Sequence, residues 1–204
     1  QFAQSTYPGT GAHQMALIVN STNIPSSGKV ICNGTSLDKV NYKSTNVWQR
    51  GLNILEQNKW TTTAAQDGSF TSSATQLRLM AKWRSDWWNW IVVRSNAQNL
   101  TGFSKITVTW DNEGAGNINF PGWVGFSTNA NLKQGEGWGD TRIEYVVVHT
   151  DPENYGGDGV SGTKTITIPS SWRKNGVYIY AQRNYYASTY ESAQYFKLTK
   201  IEIT

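Results

Sequence analysis

Apolar and polar residues alternate along most of the chain, with apolar positions two residues apart. Ile106, Val108 and Trp110 alternate with threonines, and residues 164–168 repeat the pattern. A period of two is typical of β-strands that bury one face and expose the other. The predicted strands are residues 15–19, 29–32, 76–82, 90–94, 105–110, 123–127, 142–149, 164–168, 177–183 and 195–203.

Residues 48–55 fit two patterns. Trp48, Leu52 and Leu55 have helical spacing, whereas Leu52 and Ile54 alternate as in a strand. Helix and strand therefore both stay open for this segment.

The alternation changes phase inside the last predicted strand. Phe196 and Leu198 occupy even positions, whereas Ile201 and Ile203 occupy odd positions. Both pairs can face one core only if an extra residue is inserted between them. The sequence therefore predicts a β-bulge near residues 199–200.

Short strands separated by polar, glycine-rich loops predict an all-β fold, an antiparallel two-sheet β-sandwich of the jelly-roll type. Residues 46–204 carry most of the strands and form the predicted sandwich. Residues 1–45 are rich in turns, and strands 15–19 and 29–32 are predicted to pair as a hairpin across residues 24–28. We expect an extension or hairpin docked on the main domain, with the remnant of a neighbouring domain as the alternative.

Composition and charge exclude several classes of function. The formal net charge is +4, but the 18 Lys and Arg residues are spread along the chain, which argues against nucleic-acid binding. No apolar run has the roughly 18 residues of a membrane span, so membrane insertion is not expected. With only Cys32, His13 and His149 as soft ligands, a zinc site is not expected either. We expect neither a metal nor a cofactor.

Aromatic residues make up 13% of the chain and cluster at three places between strands. The first is residues 82–90, predicted to be a hairpin loop at 84–89, with four tryptophans in eight positions. An indole presents a flat apolar face, on which the C–H face of a sugar ring can stack. For Trp83 and Trp90, which adjoin strands, packing in the core stays open as the alternative.

The other two clusters combine rings with polar side chains that suit the hydroxyl rim of a sugar. They are residues 182–190, after one strand, and residues 135–140, in a glycine-rich loop. Packing against the end of the sandwich is the alternative for both. Together the clusters predict a shallow, aromatic-lined carbohydrate site. Its residues are Trp87, Trp88, Asn89, Trp138, Asp140, Arg183, Asn184, Tyr185, Tyr186 and Tyr190.

Two further segments carry acidic residues. Residues 151–159 could offer oxygen ligands to calcium, but their spacing matches no EF-hand loop, which favours a solvated loop. Residues 142–148 are similar to the strand that carries one catalytic glutamate in jelly-roll xylanases, which would make Glu144 a catalytic carboxylate. A glycosidase needs a second carboxylate, and none of the later glutamates lies in that family's second motif. We therefore predict that the chain is not an enzyme.

Two soft motifs carry a resemblance to a known family. They are Leu-Thr-Gly-Phe-Ser-Lys-Ile at 100–106 and Lys-Leu-Thr-Lys-Ile-Glu-Ile at 197–203. With the order of strands from Gly51 to Thr204, the chain resembles jelly-roll carbohydrate-binding modules, of the kind inserted in distal tail and baseplate proteins of phages that infect Gram-positive bacteria. The resemblance implies a non-catalytic module of the virion, carried on the oligomer of a parent tail protein. Such a module would act outside the host cell, on its cell-wall saccharide.

Three alternatives stay open. A structural or assembly β-domain of a virion or adhesin would place its aromatic residues at subunit contacts. A glycoside hydrolase would use Glu144. A peptide- or protein-binding sandwich would expose a contiguous apolar patch without a polar rim.

Overall fold

A computed structural model describes residues 30–32, 35–37, 39–42, 45–49, 51–57, 59–81, 89–113, 122–133, 141–150, 158, 160–185 and 194–204. The chain divides into two compact units, Gln1–Arg50 and Gly51–Thr204. The second unit has the same bounds as the segment that carries the family resemblance. The predicted division at residues 45/46, and the docking of the first segment, stay predictions.

The first unit contains two antiparallel strand pairs. Strand β1 (Val30–Cys32) pairs with β2 (Thr35–Leu37), and β3 (Lys39–Tyr42) pairs with β4 (Thr45–Gln49). The predicted strand at 15–19, and with it the predicted hairpin, lies outside the described residues.

The described residues of the second unit contain twelve strands and two short 3-10 helices, at Leu55–Gln57 and Ser170–Trp172. Trp48 therefore lies in a strand, Leu52 in another, and Leu55 begins a helical turn. The strands are β5 (Leu52–Asn53), β6 (Thr61–Gln66), β7 (Gly68–Ser73), β8 (Gln76–Ala81), β9 (Asn89–Arg94), β10 (Gln98–Asn99), β11 (Lys105–Glu113), β12 (Gly122–Ser127), β13 (Tyr145–His149), β14 (Ser161–Thr167), β15 (Asn175–Tyr185) and β16 (Gln194–Ile203).

These strands form two antiparallel six-stranded sheets. Sheet one has the order β13-β12-β15-β9-β6, with β10 added to β15; sheet two has the order β14-β11-β16-β8-β7, with β5 added to β16. The apolar residues between the sheets form one core, which includes Leu79, Val93, Val108, Phe126 and Ile179. This arrangement confirms the predicted antiparallel two-sheet β-sandwich.

The alternation places the side chains of β11 as predicted. Ile106 and Val108 are fully buried in the core. Thr107 lies on the other face, where its hydroxyl is 2.9 Å from that of Thr165 on β14. Paired polar side chains of this kind stabilise neighbouring strands.

The predicted β-bulge is confirmed. Thr109 pairs with Lys200, and the next residue, Trp110, pairs with Leu198, so Thr199 is the extra residue on β16. The bulge turns both apolar pairs of the strand towards the core. All four of their members are fully buried: Phe196, Leu198, Ile201 and Ile203.

The predicted hairpin at residues 84–89 is wrong. Strand β8 belongs to sheet two and β9 to sheet one, so the connection between them passes from one sheet to the other. Asn89 is the first residue of β9 rather than a loop residue. The sequence analysis also missed β6 and β7, because they contain few large apolar residues.

Asp158 ties together the two edge strands on one side of the sandwich. Its backbone N–H donates to the carbonyl of His149 on β13 at 2.6 Å, and its Oδ2 accepts from the N–H of His149 at 3.0 Å. Its Oδ1 accepts from Nζ of Lys164 on β14 at 2.7 Å. Lys164 shares the inward phase of Ile166, so this cation points inward at an edge strand.

Candidate functional site

The interior of the sandwich becomes polar at one end. Nη1 of the buried Arg183 donates to Oδ1 of Asn112 at 3.3 Å, and Nδ2 of Asn112 donates to Oγ1 of Thr150 at 2.9 Å. The same hydroxyl accepts from the N–H of Gly122 at 2.9 Å. These contacts join β15 and β12 of sheet one to β11 of sheet two. We call this region the polar end.

The strand ends at the polar end flank two of the three aromatic clusters, residues 82–90 and 182–190. The third cluster, 135–140, belongs to the connection between β12 and β13, which begins at the opposite end. Strand β15 ends there beside the start of β9 and of β12. In sheet two, β8 and β11 end there beside the start of β16. The connections that leave this end of the strands are residues 82–88, 114–121, 150–160 and 186–193.

The outer face of sheet one carries one tryptophan on each side of β15, close to the polar end. Trp123 on β12 pairs with Gln182, and Trp90 on β9 pairs with Asn184. Side chains at directly opposite positions of neighbouring strands lie side by side. The His149 ring stacks on Trp123, with ring centroids 5.1 Å apart and planes 9° from parallel. We call these five residues the aromatic–amide surface.

The two amides of this surface are hydrogen-bonded to each other. Nε2 of Gln182 donates to Oδ1 of Asn184 at 2.9 Å. Oε1 of Gln182 accepts from the hydroxyl of Thr141 at 2.8 Å, and this hydroxyl in turn accepts from the N–H of Ile143 at 3.1 Å. Both amides are buried, while Trp90 and His149 are half-buried at the surface.

A strap formed by residues 128–133 and 141–144, between β12 and β13, is bound to the rest of the same outer face. Nε of Arg94 donates to the carbonyl of Ala130 at 2.7 Å, and the Tyr180 hydroxyl donates to the carbonyl of Asn129 at 2.7 Å. Leu132 and Ile143 pack with Tyr180 in a second small apolar cluster. Residues 129–130 therefore lie against the part of the outer face away from the polar end, and Thr141 contacts the aromatic–amide surface through Gln182.

Gly125 is what lets the strap lie against β12. A Cβ at this position would come within 2.5 Å of Cγ2 of Ile143 and would also collide with the carbonyl oxygen of Tyr145. Any larger residue would push the strap away from the sheet.

Burial raises the pKa of the Tyr180 phenol above its ordinary value. The phenol oxygen also accepts from the N–H of Leu132 at 3.3 Å, a contact that lowers the pKa and partly opposes the effect of burial. Tyr180 therefore stays neutral and keeps donating to the strap at neutral pH.

Glu144 has a structural contact at the base of the strap. Its exposed carboxylate accepts from the N–H of Thr128 at 2.7 Å and from the Thr128 hydroxyl at 3.2 Å. These bonds hold the two ends of the strap together. In the described part of the chain, no cluster of three or more His, Cys, Asp or Glu side chains could hold a metal ion.

Three of the predicted saccharide-binding residues are described in full: Asn89, Arg183 and Asn184. Asn89 was predicted in a loop and Asn184 just after a strand, but both lie within strands, whereas Arg183 lies in a strand as predicted. Each of the three is only 1% exposed. Asn184 belongs to the aromatic–amide surface. Asn89 and Arg183 have the phase of the core residues Ile91 and Ala181, so they point inward. Contact of these residues with a saccharide stays a prediction.

The other predicted site residues cannot be located in the same way. Tyr185 is the last residue of β15, where it pairs with Asn89. The remaining six lie outside the described residues: Trp87, Trp88, Trp138, Asp140, Tyr186 and Tyr190. Their binding role stays a prediction.

Sequence reasoning did not select Trp123, His149 and Thr141. For Trp123 a signal was present: Val124 and Phe126 fill the core from β12, so the alternation turns Trp123 towards the opposite face. An aromatic residue on a face expected to be wet is unusual and could have been singled out. No pattern in the sequence brings Thr141 next to Gln182, because 41 residues separate them.

The protein-family models contain no match to the chain, and neither do the curated proteins. Solved structures do match its fold. A cleaved adhesin domain of Lys-gingipain from Porphyromonas gingivalis is 14% identical, with a TM-score of 0.41 over 76% of this chain and 97% of that one. A family 27 carbohydrate-binding module of Caldicellulosiruptor saccharolyticus, in complex with mannohexaose, is 10% identical, with a TM-score of 0.42 over 75% and 96%.

A third match is a carbohydrate-binding module from a β-sandwich superfamily described as promiscuous in specificity. It is 9% identical, with a TM-score of 0.45 over 72% of this chain and 57% of that one.

Within the described residues, no helix combines the length and the hydrophobicity needed to cross a membrane.

Proposed function

We propose that this chain is a non-catalytic carbohydrate-binding domain. The observation that carries the proposal is the aromatic–amide surface, in which rings and hydrogen-bonding amides lie side by side next to the polar end. Sugar rings stack on aromatic faces through their C–H bonds, while their hydroxyls need donors and acceptors nearby. The half-buried rings of Trp90 and His149 suit stacking against a saccharide, and the polar residues predicted in the neighbouring connections would supply donors and acceptors for its hydroxyls.

The roles of the residues follow from their exposure. Trp90 and His149 are half-buried and would meet the ligand first. Trp123 is almost fully buried and supports the His149 ring by stacking on it. Trp87 and Trp88 would add further rings from the connection between β8 and β9, and Trp138 would add one from the connection between β12 and β13. Tyr185, Tyr186 and Tyr190 would add hydroxyls, and Asp140 a carboxylate.

We further propose that the saccharide belongs to the cell wall of a Gram-positive bacterium and that the domain is part of a phage tail protein, acting outside the host cell. The motifs at 100–106 and 197–203 support this context. Binding at one such site would be modest, and the many copies on a tail-protein oligomer would raise the overall avidity.

The experiment is binding of the fluorescently tagged chain to a panel of intact Gram-positive cells, before and after chemical stripping of wall polysaccharide. Binding that is lost on stripping supports the proposal, and binding that survives stripping indicates a protein receptor. Absence of binding across the panel would favour a structural or assembly domain instead.

Two sets of variants locate the site. The double variant Trp87→Ala/Trp88→Ala and the single variant Trp90→Ala should each abolish or strongly weaken cell binding. Trp172→Ala is the matched control, because it removes another half-buried indole, near the opposite end of the sandwich, where it packs against Phe126 and Tyr145. Equal loss in the control would mean that the effect comes from lost stability.

The hydrolase alternative has its own measurement. Release of reducing sugar from wall polysaccharide, lost in Glu144→Gln, would contradict the non-catalytic proposal. We expect no release, because Glu144 is engaged at the base of the strap through Thr128.

A further inference from the structure

We infer that Thr141 is a positioning residue, which fixes the amides between Trp90 and Trp123 and thereby sets the affinity and selectivity of the saccharide site. The inference rests on the proposed function. It concerns a residue of the strap that itself lies outside the aromatic–amide surface.

The argument begins with the direction of the hydrogen bonds. The Thr141 hydroxyl has one proton, which it donates to Oε1 of Gln182, and it accepts from the N–H of Ile143 with a lone pair. Because its oxygen faces Thr141, Gln182 must present its nitrogen to Oδ1 of Asn184. The Thr141 hydroxyl therefore holds one end of a chain of two hydrogen-bonded amides in this orientation.

The next step is the position of these amides among the rings. Gln182 lies opposite Trp123, and Asn184 lies opposite Trp90, on the two strands that flank β15. The amide pair is thus the layer between the two indoles. An amide that can rotate would change the packing between the two rings and thereby their spacing.

The strap makes this dependence specific to Thr141. Ile143 is anchored against Gly125 and in the apolar cluster with Tyr180, so the N–H that binds the Thr141 hydroxyl is held in place. Thr141 thus links a fixed part of the strap to the amide pair. Losing its hydroxyl breaks that link and removes little apolar contact.

The test compares Thr141→Val, which keeps the shape and removes the hydroxyl, with Thr141→Ser, which keeps the hydroxyl. Thr128→Val is the control, since it removes another strap hydroxyl, one that bonds to Glu144 instead. Titration calorimetry with mannohexaose, cellohexaose and purified wall polysaccharide gives the affinities. Mannose and glucose differ only in the configuration at C2, so the two oligosaccharides report selectivity.

We expect Thr141→Val to weaken binding of the preferred probe about 3- to 10-fold, the usual effect of one lost hydrogen bond. The ratio of the affinities for the two oligosaccharides should move towards one, because rings whose spacing is no longer fixed favour one shape of sugar ring less strongly. If Thr141 had a merely structural role, Thr141→Val would weaken binding of both oligosaccharides equally. Thr141→Ser and Thr128→Val should bind within about 2-fold of the unaltered chain.

Each outcome can be assigned. If the unaltered chain binds a probe and Thr141→Val binds it equally well, the inference is overturned and the proposed function stands. If the unaltered chain binds none of the probes, the proposed function fails, and the inference fails with it. A ligand-free measurement is independent of both: the side-chain amide signals of Gln182 and Asn184 should shift in NMR spectra of Thr141→Val and return in Thr141→Ser. Unchanged signals would show that Thr141 does not orient the two amides.

Discussion

At the scale of single residues, Tyr180 joins sheet one to the strap through one oxygen atom. Its hydroxyl donates to Asn129 and accepts from Leu132, and its ring is fully buried in the second apolar cluster. An ionised phenolate could no longer donate to Asn129. The raised pKa of Tyr180 is therefore linked to the stability of the strap.

We predict that Tyr180 makes the domain lose stability at alkaline pH. The pKa of Tyr180 is higher in the folded than in the unfolded chain, so its contribution is complete below the ordinary tyrosine pKa of about 10 and is lost as pH rises towards the folded pKa. Denaturant unfolding measured between pH 8 and pH 11 should show that the free energy of unfolding falls as the pH rises. In Tyr180→Phe the slope should be smaller, by up to about 1.4 kcal/mol per pH unit.

Tyr178→Phe is the control for this prediction, because it alters a neighbouring tyrosine of the same strand that is only half-buried. An identical slope in Tyr180→Phe and the unaltered chain would contradict the link between Tyr180 ionisation and stability.

At the scale of elements, the bulge at Thr199 sets the phase of β16. Deleting Thr199 would remove the bulge and leave Phe196, Leu198, Ile201 and Ile203 on one face of a regular strand, because Lys200 and Leu198 already pair with successive residues of β11. We predict that the free energy of unfolding of the deletion variant stays within about 1 kcal/mol of that of the unaltered chain in chemical unfolding. A loss of about 3–6 kcal/mol, the cost of exposing two buried isoleucines, would mean that the two pairs no longer share the core.

Thr199→Ala should unfold with nearly unchanged free energy, because Thr199 is exposed and its side chain does not set the register. A deletion variant much less stable than Thr199→Ala would contradict this account of the bulge.

Much of the sandwich was predictable from alternation, because a strand with one buried face repeats every two residues. Strands β11, β14 and β16 and the bulge follow directly from that period. Assignment of strands to sheets did not follow, since β8 and β9 are equally compatible with a hairpin and with a crossover. Strands β6 and β7 were missed because their segments are mostly Thr, Ser, Ala and Gln, with Phe70 as the sole large apolar residue.

The candidate site was less predictable than the fold. Local clusters pointed to residues near the polar end, but β15 continues to Tyr185 and carries Arg183 and Asn184 within the sheet. The contact of Thr141 with Gln182 depends on the path of the strap across the sheet. Such long-range packing has no local signature in the sequence.

At the scale of the whole molecule, the second unit contains both sheets and the whole of the main core. We predict that residues 51–204 fold without residues 1–50. In thermal unfolding, the isolated segment should show one cooperative transition within about 2–4 °C of the corresponding transition of the full chain. A non-cooperative or much lower transition would mean that the first 50 residues belong to the same folding unit.

The position of β14 at the edge of sheet two has a further consequence for assembly. An edge strand offers unpaired backbone groups to any other strand, and an inward-pointing charge makes such pairing costly. Lys164, held by Asp158, places such a charge in the middle of β14. We predict that Lys164→Val raises the rate of aggregation, measured by light scattering at high protein concentration, while Lys200→Val at an exposed position of β16 does not.

The ion pair between Asp158 and Lys164 therefore acts on contacts between molecules as well as within one. Copies of the domain crowded together on a common scaffold would meet edge to edge at high local concentration. With a partly buried cation on β14, two such edges cannot merge into one continuous sheet without breaking the ion pair. Each copy thus keeps its own sandwich, and dense display does not lead to fibrous association.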